Sequence, residues 1–313
     1  MGLGMKKKRR SNLKMEDIKQ IVQNFNIGSV KSFKAISSGH QSDNYKITTE
    51  KGTFVVKLFY NSQINAHNFE RILSIHEYLA NHGILVPKPQ RAKTSRFKIN
   101  YKGNTVGVMS FLDGKHPKVM NAKLLSRIGF ELGRSDRLLM NYRPIGKLSN
   151  PAEFLKKLKK KRNLDDIEVN ELYKKTLKQF SEAPIKKLSI STINGDPSRS
   201  NFMICKKRIA IVDYGASRRD FLLSDIAFSV LRFGLDKGDH RKYKAFIDGY
   251  TKGSLIKKWE LKYLPAFLRV ARMIDTMFSY PRSDSEKTKS EHLKELNKYL
   301  KEELMRPDAD YIT

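Results

Sequence analysis

Cysteine is almost missing from this chain: Cys205 is the only one in 313 residues. Intramolecular disulfides are therefore excluded, as is a structural zinc site built on several thiolates, and a reducing, cytoplasmic setting is expected. No continuous apolar run is long enough to cross a bilayer. Met1 to Arg10 carries the positive charge of a signal sequence, but Ser11 to Gln20 is polar, so secretion is not expected. Acidic residues are scarce, with 32 Asp and Glu against 62 Lys and Arg, a formal net charge of +30. A field of that sign opposes the approach of polycationic ligands unless acids are concentrated locally. Internal repeats and low-complexity linkers are absent too.

The basic excess would attract nucleic acid, anionic lipid or anionic metabolites. It fits a lysine-rich solvated surface equally well, since runs such as Lys156 to Arg162 fall at helical spacing. The chain has no recognisable nucleic-acid reader motif and no aromatic stacking platform. Charge alone supports only a weak association with anionic membrane or nucleic acid, and no obligate protein partner is evident.

Patterning divides the chain in two. A basic, flexible stretch over 1–13 precedes a first lobe at 14–111. Its first element is an amphipathic helix over 14–26, followed by strands at Val30 to Ser37, Asn44 to Thr49 and Thr53 to Tyr60. In the third strand Lys57 shares a face with Val55 and Phe59, where a lone charge is costly to bury and usually has a partner. A helix from Asn68 to His82 ends at Gly83, and strands near Phe97 to Tyr101 and Thr105 to Phe111 complete the lobe. A link near 109–115 leads to a mainly helical lobe over 112–305, with helices near 121–139, 151–160, 165–181, 222–233, 239–252, 259–279 and 285–304. Residues 306–313 read as a loose tail. Within the second lobe, Asn201 to Cys205 and Arg208 to Val212 form a hairpin around Lys206-Lys207.

That hairpin follows Asn194-Gly195-Asp196-Pro197-Ser198-Arg199-Ser200-Asn201 and runs into Asp213-Tyr214-Gly215. Two carboxylates and a carboxamide where strands meet loops suit magnesium-dependent phosphoryl transfer: one Asp orients an attacking hydroxyl, while Asn and a second Asp offer hard oxygen ligands. Asp and Asn are also common turn formers, so the spacing alone is weak. Its strength comes from the order of parts: glycine-containing hairpin, strand lysine, helix glutamate, link, Asp and Asn, hairpin, Asp-aromatic-Gly.

With that order, and with Ser38-Gly39-His40-Gln41, Val55-Val56-Lys57-Leu58-Phe59 and Ser224-Asp225-Ile226-Ala227, the chain resembles the aminoglycoside phosphotransferase and choline kinase superfamily over about residues 30–275. Its amino-terminal lobe is most similar to the type II homoserine kinase branch. The resemblance implies a bilobal, protein-kinase-like α+β fold with a small antiparallel-sheet lobe. It implies ATP and Mg2+ as cofactors and a small-molecule hydroxyl as acceptor. Ser38, Gly39 and His40 would cover the phosphates, although His40 is a loop residue and not a catalyst. Lys57 would hold the α and β phosphates, with Glu70 as its partner and Glu77 as the competing candidate. Backbone from Met109 through Phe111 to Asp113 would meet adenine. Asp196 would orient the hydroxyl, Asn201 and Asp213 would hold the metal, and Asp225 would accept hydrogen bonds from loop backbone.

Three departures from the family pattern stand out: Asn194 where His is usual, Pro197 where an apolar residue is usual, and Gly39 as the hairpin's only glycine. They keep open a catalytically degenerate, nucleotide-binding scaffold as an alternative, with a basic nucleic-acid-binding protein behind it. The charge favours a neutral or anionic acceptor such as homoserine, another amino alcohol, a sugar or a lipid head group, over a polycationic aminoglycoside.

Overall fold

The computed structural model describes residues 13–38, 42–59, 63–142, 167–237 and 239–279, with isolated helical positions at 156, 294 and 298. The basic amino-terminal stretch, the tip Gly39-His40-Gln41, and nearly all of the helices expected over 151–160 and 285–304 lie outside the described residues. So does the tail. The described residues divide into two compact units between Gly114 and Lys115.

In the first unit the chain runs α1 (Met15–Val22), β1 (Val30–Ser38), β2 (Ser42–Thr49), β3 (Gly52–Phe59), α2 (Gln63–Asn81), β4 (Pro89–Gln90), β5 (Lys98–Tyr101) and β6 (Asn104–Ser110). These strands build one antiparallel sheet in the order β1-β2-β3-β6-β4, with β5 also paired to β6. Strand alternation decides its two faces. Phe54, Val56 and Leu58 point to one side and bury against Ile18, Ile21 and Val22 of α1. Phe59 and Met109 point to the other, where Phe69 and Leu73 of α2 cover them. The first helix is shorter than its periodicity predicts because Asn24 turns back: its amide nitrogen donates to the carbonyls of Gln20 and Ile21. Phe25 then leaves the helix to bridge Ala92.

The second unit begins with α3 (Ala122–Leu139) and α4 (Ile167–Ser181), followed by β7 (Ile190–Ile193), β8 (Phe202–Cys205), β9 (Arg208–Ile211) and β10 (Arg218–Phe221). It closes with α5 (Leu222–Arg232), α6 (His240–Gly253) and α7 (Leu264–Ser279). Asn121 caps α3 by accepting from the Leu124 N–H, and Asp239 caps α6 by accepting from Arg241 and Lys242. The single helix expected over 259–279 is two elements, a 3-10 segment Lys258–Tyr263 and then α7. Pro265 lacks an N–H and fits only the first turn of a new α-helix.

Helices α3 and α6 lie unusually close. A Cβ at Gly249 would come within 2.0 Å of the Ser126 carbonyl oxygen, one at Gly253 within 2.2 Å of that of Phe130, and one at Gly129 within 2.4 Å of that of Phe246. Backbone thus packs on backbone, and the contact brings Tyr250 against Asp136, whose Oδ2 accepts the phenol hydroxyl at 2.5 Å.

Candidate active site

Two small sheets hold the loop that carries Asp196. Strand β7 pairs with β10, Ile193 opposite Arg218, and β8 pairs with β9, Phe202 opposite Ile211. Of these, β7 and β10 were not foreseen from the sequence, because the Arg218–Phe221 segment carries too few apolar residues to read as a strand. Buried Glu260 steadies the approach to β7, accepting from both the backbone and hydroxyl of Ser189, each at 2.7 Å.

The turn after β7 is clamped from beneath. Fully buried Asp225, near the start of α5, accepts from the backbone N–H groups of Asn194 at 2.9 Å and Gly195 at 2.7 Å, as expected of it. Gly195 has φ of +81°, and a Cβ there would lie 2.4 Å from the Ala216 carbonyl oxygen, so no other residue fits the turn. Asn194 is itself buried and acts as the brace: its amide nitrogen donates to the Asp213 carbonyl at 2.7 Å, and its Oδ1 accepts from the Asp196 N–H at 3.2 Å. Asn201 closes the far side by donating from Nδ2 to the Asp196 carbonyl at 2.6 Å. Asp196, Asn201 and Asp213 therefore belong to one hydrogen-bonded assembly.

Charge beneath the loop is arranged in pairs. Burial pushes the Asp225 carboxyl up to about 6, partly offset by the Gly195 N–H. Asp136, also fully buried, is raised well above the usual carboxylate range, by burial first and then by the charge of Asp225. Its Oδ1 faces no donor, so nothing at that oxygen offsets the cost of burying the charged form. Two buried carboxyls side by side are tolerable when one stays neutral.

Of the oxygens at the surface of this assembly, Asn201 has its amide nitrogen committed, which assigns Oδ1 as the atom able to meet a cation. Asp213 has one oxygen accepting from Gly215 N at 2.7 Å, which holds its carboxylate in place. Among the described residues no cluster of three His, Cys, Asp or Glu could cage a metal. A carboxylate and an amide oxygen suit instead a small hard cation that brings water and phosphate oxygens with it.

In the first unit Lys57 stands in a register row with Asn44 on β2 and Gly107 on β6, and Lys98 of β5 flanks Gly107 on the other side. A Cβ at Gly107 would lie 2.6 Å from the Phe69 ring, so α2 rests directly on this row. Glu70, the next residue, reaches it but pairs with Lys98 at 3.4 Å and not with Lys57. The rival Glu77 binds Arg91 at 2.6 Å. The Lys57 ammonium lies 5.2 Å from the Phe59 ring centroid. Neither glutamate pairs with Lys57 here: Glu70 is joined to Lys98 on β5 and Glu77 to Arg91 just after β4. At the end of β6, Met109 is buried, Ser110 N donates to the Lys88 carbonyl and Phe111 N donates to the Thr53 carbonyl. Those two N–H groups are spent on the sheet, so donors for a base would have to come from beyond Phe111. Ser38 ends β1 opposite Asp43, and Gly39 and His40 lie outside the described residues.

Sequence reasoning missed two charged groups at the Asp196 loop. Arg232, the last residue of α5, places Nε 3.4 Å from Asp196 Oδ1 and Nη1 2.8 Å from Asp275 of α7. Nothing in local spacing flags either residue, since tertiary packing alone brings them together.

The family model described as "Phosphotransferase enzyme family" matches residues 32–260. A homoserine kinase of Rhodopseudomonas palustris (strain BisA53) is 24% identical over 270 residues, covering 82% of this chain and 81% of the relative. Among solved structures, a microcompartment-associated aminopropanol kinase superposes with a TM-score of 0.72 at 11% identity, covering 96% of this chain and 99% of its own. Amicoumacin kinase hAmiN, in complex with AMP-PNP, Ca2+ and Ami, gives 0.71 at 15% identity, covering 93% and 94%. The fold is that of the protein-kinase-like small-molecule kinases, and the chain belongs to the phosphotransferase enzyme family.

Proposed function

We propose that this phosphotransferase uses ATP and magnesium to phosphorylate the hydroxyl of a small neutral, zwitterionic or anionic molecule, with homoserine foremost. The observation that carries the reading is the clamped loop, in which Asp225, Asn194 and Asn201 hold Asp196 and Asp213 in one hydrogen-bonded frame. Asp196 accepts the hydrogen bond of the acceptor hydroxyl, orients its lone pair for attack and takes up its proton as the new P–O bond forms and the bond from the γ-phosphorus to the bridging oxygen breaks, releasing ADP. Asn201 and Asp213 contribute the protein's metal ligands, and Lys57 offers a point charge to the α and β phosphates. Magnesium held there would supply positive charge to offset the charge that develops on the transferred phosphate. Homoserine kinases among the relatives and the +30 charge both favour a homoserine-like acceptor over a polycation. No helix among the described residues is long and apolar enough to cross a membrane, and a cytoplasmic site of action goes with ATP use.

The alternative, a nucleotide-binding scaffold without turnover, was motivated by Asn194 and Pro197. Geometry weakens both motives. Asn194 has a bracing role already filled by hydrogen bonds. The Asp196 carbonyl is served by Ser198 N and Asn201 Nδ2, neither of which needs an N–H from position 197. The test is ATP turnover against homoserine, choline, ethanolamine, sugars and aminoglycosides. Turnover that chelation abolishes, and that Asp213→Asn lowers by about a hundredfold or more with the fold intact, is expected. Magnesium-dependent ATP binding with no transfer to any acceptor would instead establish the scaffold.

A further inference from the structure

We propose that Arg232 and Asp275 form the acceptor's head-group reader, Arg232 taking a carboxylate and Asp275 an adjacent ammonium. The acceptor is then an α-amino acid whose side-chain hydroxyl lies at Asp196. The inference rests on the kinase reading above and deepens it by assigning the residues that select the substrate.

The pair does not look like a structural one. In the same unit Arg272 and Asp236 form a buried ion pair, their side chains 6% and 3% exposed. Arg232 and Asp275 are 38% and 32% exposed, and Asp196 beside them is 45% exposed. Solvated pairs of this kind contribute little to stability, so cementing α5 to α7 is a poor account of them. What singles them out is position, since Arg232 makes its second contact with the carboxylate that orients the hydroxyl.

Chemistry matches the placement. A guanidinium presents a planar fork of donors suited to a carboxylate, and its two recorded ion-pair contacts use Nε and Nη1. One cation and one anion in contact mirror the carboxylate and ammonium that an α-amino acid carries on a single carbon. Arg232 lies next to the group that would receive the hydroxyl and Asp275 lies next to Arg232, so a short side chain spans the gap. An amino alcohol without a carboxylate would engage only Asp275, and a hydroxy acid only Arg232.

The experiment compares kcat/KM of wild type, Arg232→Gln and Asp275→Asn for L-homoserine, 3-aminopropan-1-ol, which lacks the carboxylate, and 4-hydroxybutanoate, which lacks the ammonium. Magnesium-dependent ATP binding is followed in parallel by thermal shift. Losing one charge-assisted contact corresponds to about 10- to 100-fold. Arg232→Gln is expected to penalise L-homoserine and 4-hydroxybutanoate at least tenfold more than 3-aminopropan-1-ol. Asp275→Asn is expected to spare 4-hydroxybutanoate relative to the other two. Equal losses across all three compounds would overturn the proposal and make Arg232 a positioning residue for Asp196. Wild-type transfer to other hydroxyl compounds but to none of these three would overturn it while leaving the kinase reading standing. Failure to bind ATP or to turn over any acceptor would bring down both.

Discussion

The two units hold their candidate site residues by different means. In the second, Asp196, Asn201 and Asp213 are tied to one another and, through Asn194 and Gly195, to a fully buried carboxylate. In the first, Lys57 projects from a sheet row beside a glutamate already joined to Lys98. One site is built from buried polar groups that cannot let go cheaply, the other from half-exposed charges that can exchange partners. The loop is therefore prepared before any ligand arrives. A Lys57–Glu70 pair would have to be made by exchange along the row.

The sharpest way to break this contrast is to remove one anchor from each side. Asp225→Ala leaves two backbone N–H groups buried without acceptors and is expected to cost about 3–5 kcal/mol in denaturant unfolding. Glu70→Ala removes a surface pair and is expected to cost less than about 1 kcal/mol. Comparable losses would contradict the distinction. The Asp225 clamp also carries a pH signature. Its folded-state value is raised to about 6 from 3.8, so the folded chain binds more protons than the unfolded one between those values. Its contribution is full below about pH 4, falls as pH rises toward 6 and is flat above. Asp225→Asn should lack that slope.

A smaller effect separates the two units by their glycines. Ala at Gly249 would drive a methyl into the Ser126 carbonyl on the rigid backbone of α3, and about 2–3 kcal/mol of destabilisation is expected. Ala at Gly107 would meet only the Phe69 ring and the Leu73 side chain, which can shift, so its melting temperature should fall less.

How much of this could be read from the sequence differs between the units for the same reason. Strands β2 and β3 and helix α2 follow from apolar periodicity and from Gly83, because one face of each is buried, and β1 follows from its strand composition with Val30 and Phe33 partly buried against the core. The β8–β9 hairpin was legible from its apolar runs, and the role of Asp225 from the resemblance of Ser224-Asp225-Ile226-Ala227 to the family's acidic anchor. The paired spacing of Gly129 with Gly133 and of Gly249 with Gly253 is the local sign of the close helix contact. Strand β10 was hidden because its sequence, Arg218-Arg219-Asp220-Phe221, is polar and is held by pairing with β7. The Glu70–Lys98 pair and the Arg232–Asp275 contact were beyond reach, since each joins elements whose proximity only the assembled fold decides.

The central claim, that the clamped loop is a working phosphoryl-transfer site, is tested most directly by assaying L-homoserine phosphorylation at saturating magnesium and ATP for wild type and Asp196→Asn. Asparagine keeps the shape and cannot take the proton. The account predicts kcat reduced by about 10²- to 10⁴-fold, with ATP binding and melting temperature unchanged. An Asp196→Asn enzyme that phosphorylates at the wild-type rate would contradict it.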